Sequence, residues 1–210
     1  MKPRLFPLSP GSHPSPDAGM CAMEMVAWLA GEPHSDEPLC ACPVAGAVVR
    51  CFNDSIASTS ERERLLRPLV PALVNSRATA AVERARAFLV ADCAARRIAP
   101  RILCRGYREA DARTLARMPK VTDRRSAFAT LAHLHGAELK ATRWVVQRAA
   151  DGELAPRLWV AGLVWSAKEL GGKTGWELVA ETVRAMLALG RSERLAGEVA
   201  PPAGRTADQK

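Results

Sequence analysis

Six residues after His34 the chain reads Cys40-Ala41-Cys42, two thiols flanking one alanine, with Pro43 directly behind them. Cys21, Glu24 and Asp36 lie nearby and Cys51 follows, so four of the six cysteines and one of the four histidines fall within 31 residues. Zinc takes sulfur and nitrogen ligands in a tetrahedron, and Cys21, His34, Cys40 and Cys42 offer a Cys₃His set. Their spacing, C-x12-H-x5-C-x-C, lacks the paired C-x2-C knuckle, and one intervening residue strains two thiols that reach for one ion. Buried cysteines acting as small hydrophobes explain the same residues without a metal. A reactive thiol is the third reading. Cys42 stands where a helix N-cap belongs, and the helix dipole there favours a thiolate. His34 would be its base, with Asp36 or Glu24 orienting the imidazole. No cysteine-hydrolase signature surrounds it.

Other motifs carry less. Ala167-Lys168-Glu169-Leu170-Gly171-Gly172-Lys173-Thr174 fits a loose phosphate loop with alanine in the first glycine position. Only 36 residues follow Thr174, and none forms an apolar strand ending in aspartate. The same glycines serve as a helix stop, and Thr174 with Glu177 matches a capping box. His133 and His135 fall on one predicted helix about 200° apart, one towards the core and one towards solvent, so they cannot share a ligand. Trp144, Trp159, Trp165 and Trp176 read as core anchors in a chain that is 5% aromatic. Arg84, Arg96, Arg97, Arg101 and Arg105, joined by Arg86 and Arg108, are candidates for a surface that tracks phosphates. Without an interleaved aromatic or a recognisable DNA-binding helix pair, a solvated helix face is the leading explanation for them.

The elements that must position these residues are helices. Cys21 and Glu24 belong to a first helix expected over 17–30, with Asp17 as N-cap and Gly31 as stop. The loop 32–38 then carries His34, and Pro43 opens a second helix that ends near Ile56. A capping box at Ser58 or Ser60 starts a third, which Pro68 and Pro71 kink or split. An arginine-bearing helix is expected over 79–99, ended by Pro100, and a shorter one over 108–118. Apolar residues at 127, 131, 134, 141 and 145 form one stripe, predicting a long helix over 125–150. Residues 158–170 are a buried helix or a buried strand, which periodicity cannot separate. A last amphipathic helix is capped at Thr174 and ends near Leu189.

Composition agrees. The chain has 210 residues, 48% of them hydrophobic, enough for one sizeable core. Its 38 alanines favour closely packed helices, and no stretch alternates like a strand. The expected fold class is all-α: a single bundle of about seven helices over 17–191, between disordered tails at 1–16 and 192–210. Residues 1–17 hold five prolines and three serines but no apolar core of a secretory signal. The longest apolar run, 158–165, is too short to span a bilayer, so a cytoplasmic setting without membrane contact is expected. Cysteines there are free, metal-bound or redox-active rather than disulfide-bonded. The net charge of +8 is uneven: 3 basic and 6 acidic residues over 1–60, 19 and 8 over 61–150, and 8 and 8 over 151–210. The basic middle, 61–150, is where a polyanion would bind.

Cys21-x-x-Glu24, then 29–36 reading LAGEPHSD, Pro38-x-Cys40-x-x-Pro43 and Asn53-Asp54 resemble a segment of uncharacterised helix-rich bacterial proteins of actinobacterial and phage type. The resemblance covers about 20–75, and the group reads Asp-His-Pro where this chain has Asp36-Glu37-Pro38. It implies a helical architecture and brings no activity. The leading functional expectation is a non-enzymatic helical binding protein with an unidentified protein partner, its N-terminal loop holding zinc or no cofactor. The alternatives are nucleic-acid association through 61–150 and a thiol-dependent enzyme or redox protein built on Cys42 and His34.

Overall fold

The computed structural model describes residues 6–152 and 156–190, and every regular element among them is helical. The α segments are α1 (Ala22–Ala30), α2 (Pro43–Ser55), α3 (Thr59–Leu66), α4 (Val70–Leu73), α5 (Ala80–Cys93), α6 (Ala99–Arg105), α7 (Glu109–Arg117), α8 (Arg124–Leu131), α9 (Lys140–Asp151), α10 (Gly162–Leu170) and α11 (Gly172–Ala188). A 3₁₀ turn joins α3 to α4 and a π turn joins α5 to α6, so the described residues form nine helices rather than about seven. No described helix is long and apolar enough to cross a membrane.

Local chemistry sets most boundaries. Thr79 caps α5 by accepting from the Val82 N–H, and Ser58 does the same for α3 with Glu61. Pro43 sits in the first turn of α2, where a missing N–H costs nothing. The first helix begins at Ala22 instead of 17 because Cys21, not Asp17, is its N-cap. Cys21 Sγ accepts from the Glu24 N–H, and the Glu24 carboxylate accepts from the Cys21 N–H.

Pro100 does not end the arginine-bearing helix. Its ring would strike the carbonyl one turn back in a regular α-helix. The π turn at Ala94–Ile98 widens the coil by one residue, with the Ala99 N–H bonding the Ala94 carbonyl, and the helix runs on to Arg105. The expected 125–150 helix is split instead. Gly136 takes φ +114°, a conformation open to glycine, and turns the chain between α8 and α9. Ala127, Leu131, Leu134 and Val145 are all buried, so the two helices share one apolar stripe across the break. Residues 158–170 hold α10, which resolves the helix-or-strand alternative. Thr174 lies inside α11 rather than capping it.

One hydrophobic core runs from Leu8 to Leu187. Helices α2, α5, α10 and α11 pack together at its centre, α1 and α4 pair at one end, and α7, α8 and α9 close the other against α6 and α10. The expected tail at 1–16 is also corrected from Phe6 onward. Leu8 is buried, its N–H donates to Glu63, the Gly11 N–H donates to Asp54, and Asn53 Nδ2 donates to the Ser9 carbonyl. Proline-rich chain without a helix still binds a core when its backbone groups find partners. Residues 192–210, the other expected tail, lie outside the described residues.

Candidate functional site

Glu24 organises the N-terminal cluster. Its side chain is 1% exposed, and its carboxylate accepts the Cys21 N–H at 2.6 Å and the His13 N–H at 2.5 Å. His13 Nδ1 lies 2.8 Å from Glu24 Oε2. His34 Nε2 lies 3.6 Å from Glu24 Oε1 and 3.0 Å from the His13 carbonyl. Burial pushes the Glu24 carboxyl up, but these N–H groups pull harder and hold it below the usual carboxylate range. His13 was not singled out by sequence, since a histidine in a proline-rich segment carries no spacing signal.

Ser9 Oγ sits 3.0 Å from His13 Nε2, so Ser9, His13 and Glu24 line up as hydroxyl, imidazole and carboxylate. The order is that of a nucleophile, its base and an orienting acid. The surroundings close it. Ser9 Oγ accepts from the Met20 N–H at 3.2 Å and lies 3.4 Å from the Met20 carbonyl. Gly19 covers the imidazole, and a Cβ there would stand 2.4 Å from His13 Cδ2. The chain of bonds staples the segment 6–20 onto α1.

The four predicted metal ligands go separate ways. Cys21 Sγ is the cap of α1, and His34 turns to Glu24 and His13. Cys40 is half-buried in a loop that Glu32 ties down by accepting the Leu39 and Cys40 N–H groups. Cys42 is fully buried at the start of α2, its N–H donating to Ser76. Among the described residues no group of three or more His, Cys, Asp and Glu side chains is placed to hold a metal ion. The thiol reading meets the same geometry. Cys42 has no exposure to a substrate, and His34 is committed to Glu24 rather than to it.

The candidate arginines divide as well. Arg97 pairs with Glu181 of α11 at 2.6 Å, and Arg96 with Asp92 at 3.5 Å. Arg101 and Arg105 line a separate hollow with Arg113 and Cys104. Arg108 pairs with Asp111 and Glu138. Arg86 is fully buried, which removes it from any surface. The phosphate-loop segment is the junction of α10 and α11, turned at Gly171 and Gly172, both with positive φ, and joins two helices rather than a strand and a helix. His133 and His135 lie in the turn after α8 and are both exposed, so neither faces the core.

Arg84 alone of the five joins a larger basic feature. A hollow of about 420 Å³ lies over the start of α2, lined by Val44, Glu37, Glu83, Arg50, Arg77 and Arg157 among others. A second, of about 330 Å³, meets it at Val44, Glu83 and Pro156, and adds Arg84, Arg124 and Arg148. Ala87, Phe88, Ala149 and Trp159 supply apolar lining. The combined groove therefore presents six arginines against two glutamates among the described residues. Arg50 pairs with Glu37 at 2.8 Å. Among the described residues Arg77 and Arg124 donate to backbone carbonyls, of Leu39 and Ala150, while Arg84 and Arg157 are exposed. None of those four has an ion-pair partner among the described residues. Trp159 is 3% exposed, and its Nε1–H is buried without a partner among the described residues. The groove draws on α2, α5, α8, α9 and the 156–159 turn, which is why spacing along the chain did not reveal it. No protein-family model, curated protein or solved structure matches this chain.

Proposed function

We propose that this is a non-enzymatic binding protein whose arginine-lined groove holds an extended anionic partner. The observation that carries the reading is the groove itself: among the described residues, two adjoining hollows, six arginines, two glutamates, and four guanidinium groups without a carboxylate partner. Arginine presents a flat fork of donors that suits carboxylates and phosphates, and concentrated positive charge beside an apolar wall raises the local concentration of anions. The inward-facing chemistry supports a binding role over catalysis. Cys42 is buried, and Ser9, His13 and Glu24 spend their hydrogen bonds on the fold.

The test is charge reversal. Arg84→Glu combined with Arg157→Glu is expected to weaken binding of fluorescent polyphosphate at least tenfold, read by anisotropy. Arg117→Glu, on α7 and outside the groove, is the control and should leave binding within twofold. Equal losses in both proteins would point to net charge alone and remove the groove from the account.

A further inference from the structure

The partner's chemical class rests on the groove reading and on what lies between the arginines. We infer that the groove takes a single-stranded nucleic acid, its phosphates on the arginines and a base over the lining around Phe88 and Trp159. A polyphosphate or an acidic peptide satisfies the charges but has little to place against Ala87, Phe88 and Ala149. A nucleobase brings a flat apolar face and ring carbonyls on the same rigid body. Those carbonyls are acceptors, and Trp159 Nε1–H is a buried donor that lacks one among the described residues. An unpaired buried donor is costly, so a site that contains one gains when an acceptor arrives. Trp159 is too deeply buried to be a stacking platform. Its Nε1–H reaches a base carbonyl only once the lining opens around it, and half-buried Phe88 is the more accessible ring.

Geometry favours one strand over two. Hollows of about 420 and 330 Å³ are the size of small-molecule sites, which admit nucleotides in single file. A duplex keeps its bases stacked inside and cannot present a ring face to either hollow. Arg84, Arg124 and Arg148 come from three helices around the Trp159 half, and Arg50, Arg77 and Arg157 from the other half, so a backbone crossing from one to the other meets guanidinium groups throughout. Combining a positive track with a ring surface is how strands are held without reading sequence.

The experiment compares a labelled single-stranded oligothymidylate 12-mer with the same-length duplex, polyphosphate and polyglutamate, on the full chain and on Trp159→Phe. Trp159→Phe keeps an aromatic ring but removes the donor and part of the buried indole's volume, and the polyphosphate arm shows whether the groove survives the change. The expected result is at least tenfold tighter binding of the single strand than of any competitor. Trp159→Phe should weaken the single strand about fivefold and leave polyphosphate unchanged. Arg84→Glu should weaken both. Equal affinity for all four polyanions, or tighter polyglutamate, overturns the nucleic-acid assignment while the groove reading stands. An unchanged single-strand affinity in Trp159→Phe overturns the assignment of the floor. Binding of none of them by the wild-type chain overturns assignment and groove together.

Discussion

A carboxylate buried as deeply as Glu24 stays ionised only where donors converge on it, and here two backbone N–H groups and the His13 imidazole do so, with His34 Nε2 3.6 Å away. Its folded carboxyl is held below the unfolded value, so its contribution to stability is present above the unfolded carboxylate range. That contribution disappears as pH falls through the lower, folded value. Thermal melts between neutral pH and about pH 3 should therefore show acid destabilisation, and Glu24→Gln should flatten it. Glu24→Ala should cost about 3 kcal/mol at neutral pH, because the groups that converge on it lose their acceptor. The thiols give a second check. Burial pushes Cys21 up to about 12 and Cys93 up to about 11, Cys42 is inaccessible, and Cys104 is exposed. A disulfide reagent at neutral pH should modify Cys104 first, and Cys104→Ser should abolish the fast phase. Cys21, Cys42 and Cys93 should react only on unfolding. Rapid modification of Cys42 in the native protein would contradict the structure. These residues were visible in the sequence as a cluster, but their roles were not. Cys21-x-x-Glu24, the first residues of the bacterial resemblance, form a capping box, and Asn53 from the same resemblance holds the Ser9 carbonyl and the Ala22 N–H.

At the level of elements, two buried arginines finish helices that carry no basic residue in their own last turn. Arg62 Nε donates to the Asn53 carbonyl at 2.9 Å and its Nη2 to that of Ile56, closing α2. Arg86 donates to Met186 and Leu189 at the end of α11, and to Ser76. Each guanidinium satisfies orphan carbonyls and meets the negative end of a helix dipole. Arg86→Met keeps much of the side-chain volume but strips those carbonyls of donors, so it should lower stability by about 3 kcal/mol in urea unfolding. Arg84→Met, two residues away and exposed, should change it by less than about 0.5 kcal/mol. Helix starts were legible because caps are local: Ser58, Thr79 and Pro43 sit where their chemistry places them. Long-range capping is not local. A sequence reading puts arginines on the surface by default, and Arg62 and Arg86 depart from that because their partners lie in other elements. The π turn before Pro100 escaped because proline reads locally as a helix stop, and the break at Gly136 escaped because the apolar stripe continues through it.

For the whole molecule, the +8 charge and its concentration in the middle of the chain pointed to a polyanion, and the fold redistributes that signal. Arg96, Arg97 and Arg108 go into ion pairs, whereas Arg50 and Arg157, from segments without a basic excess, join Arg84 in the groove. All-helical architecture was readable from alanine content and capping. The assembly of a site from five parts of the chain was not, because it depends on how α2, α5, α8 and α9 pack. The most direct measurement of the central claim is the salt dependence of oligothymidylate 12-mer binding between about 50 and 200 mM salt, on wild type and Arg84→Glu/Arg157→Glu. Four guanidinium groups without carboxylate partners among the described residues predict a slope of log K against log salt of about −3, falling to about −1.5 in the double variant. A slope near zero, or one that the variant leaves unchanged, would contradict the groove as the site where this protein meets its partner.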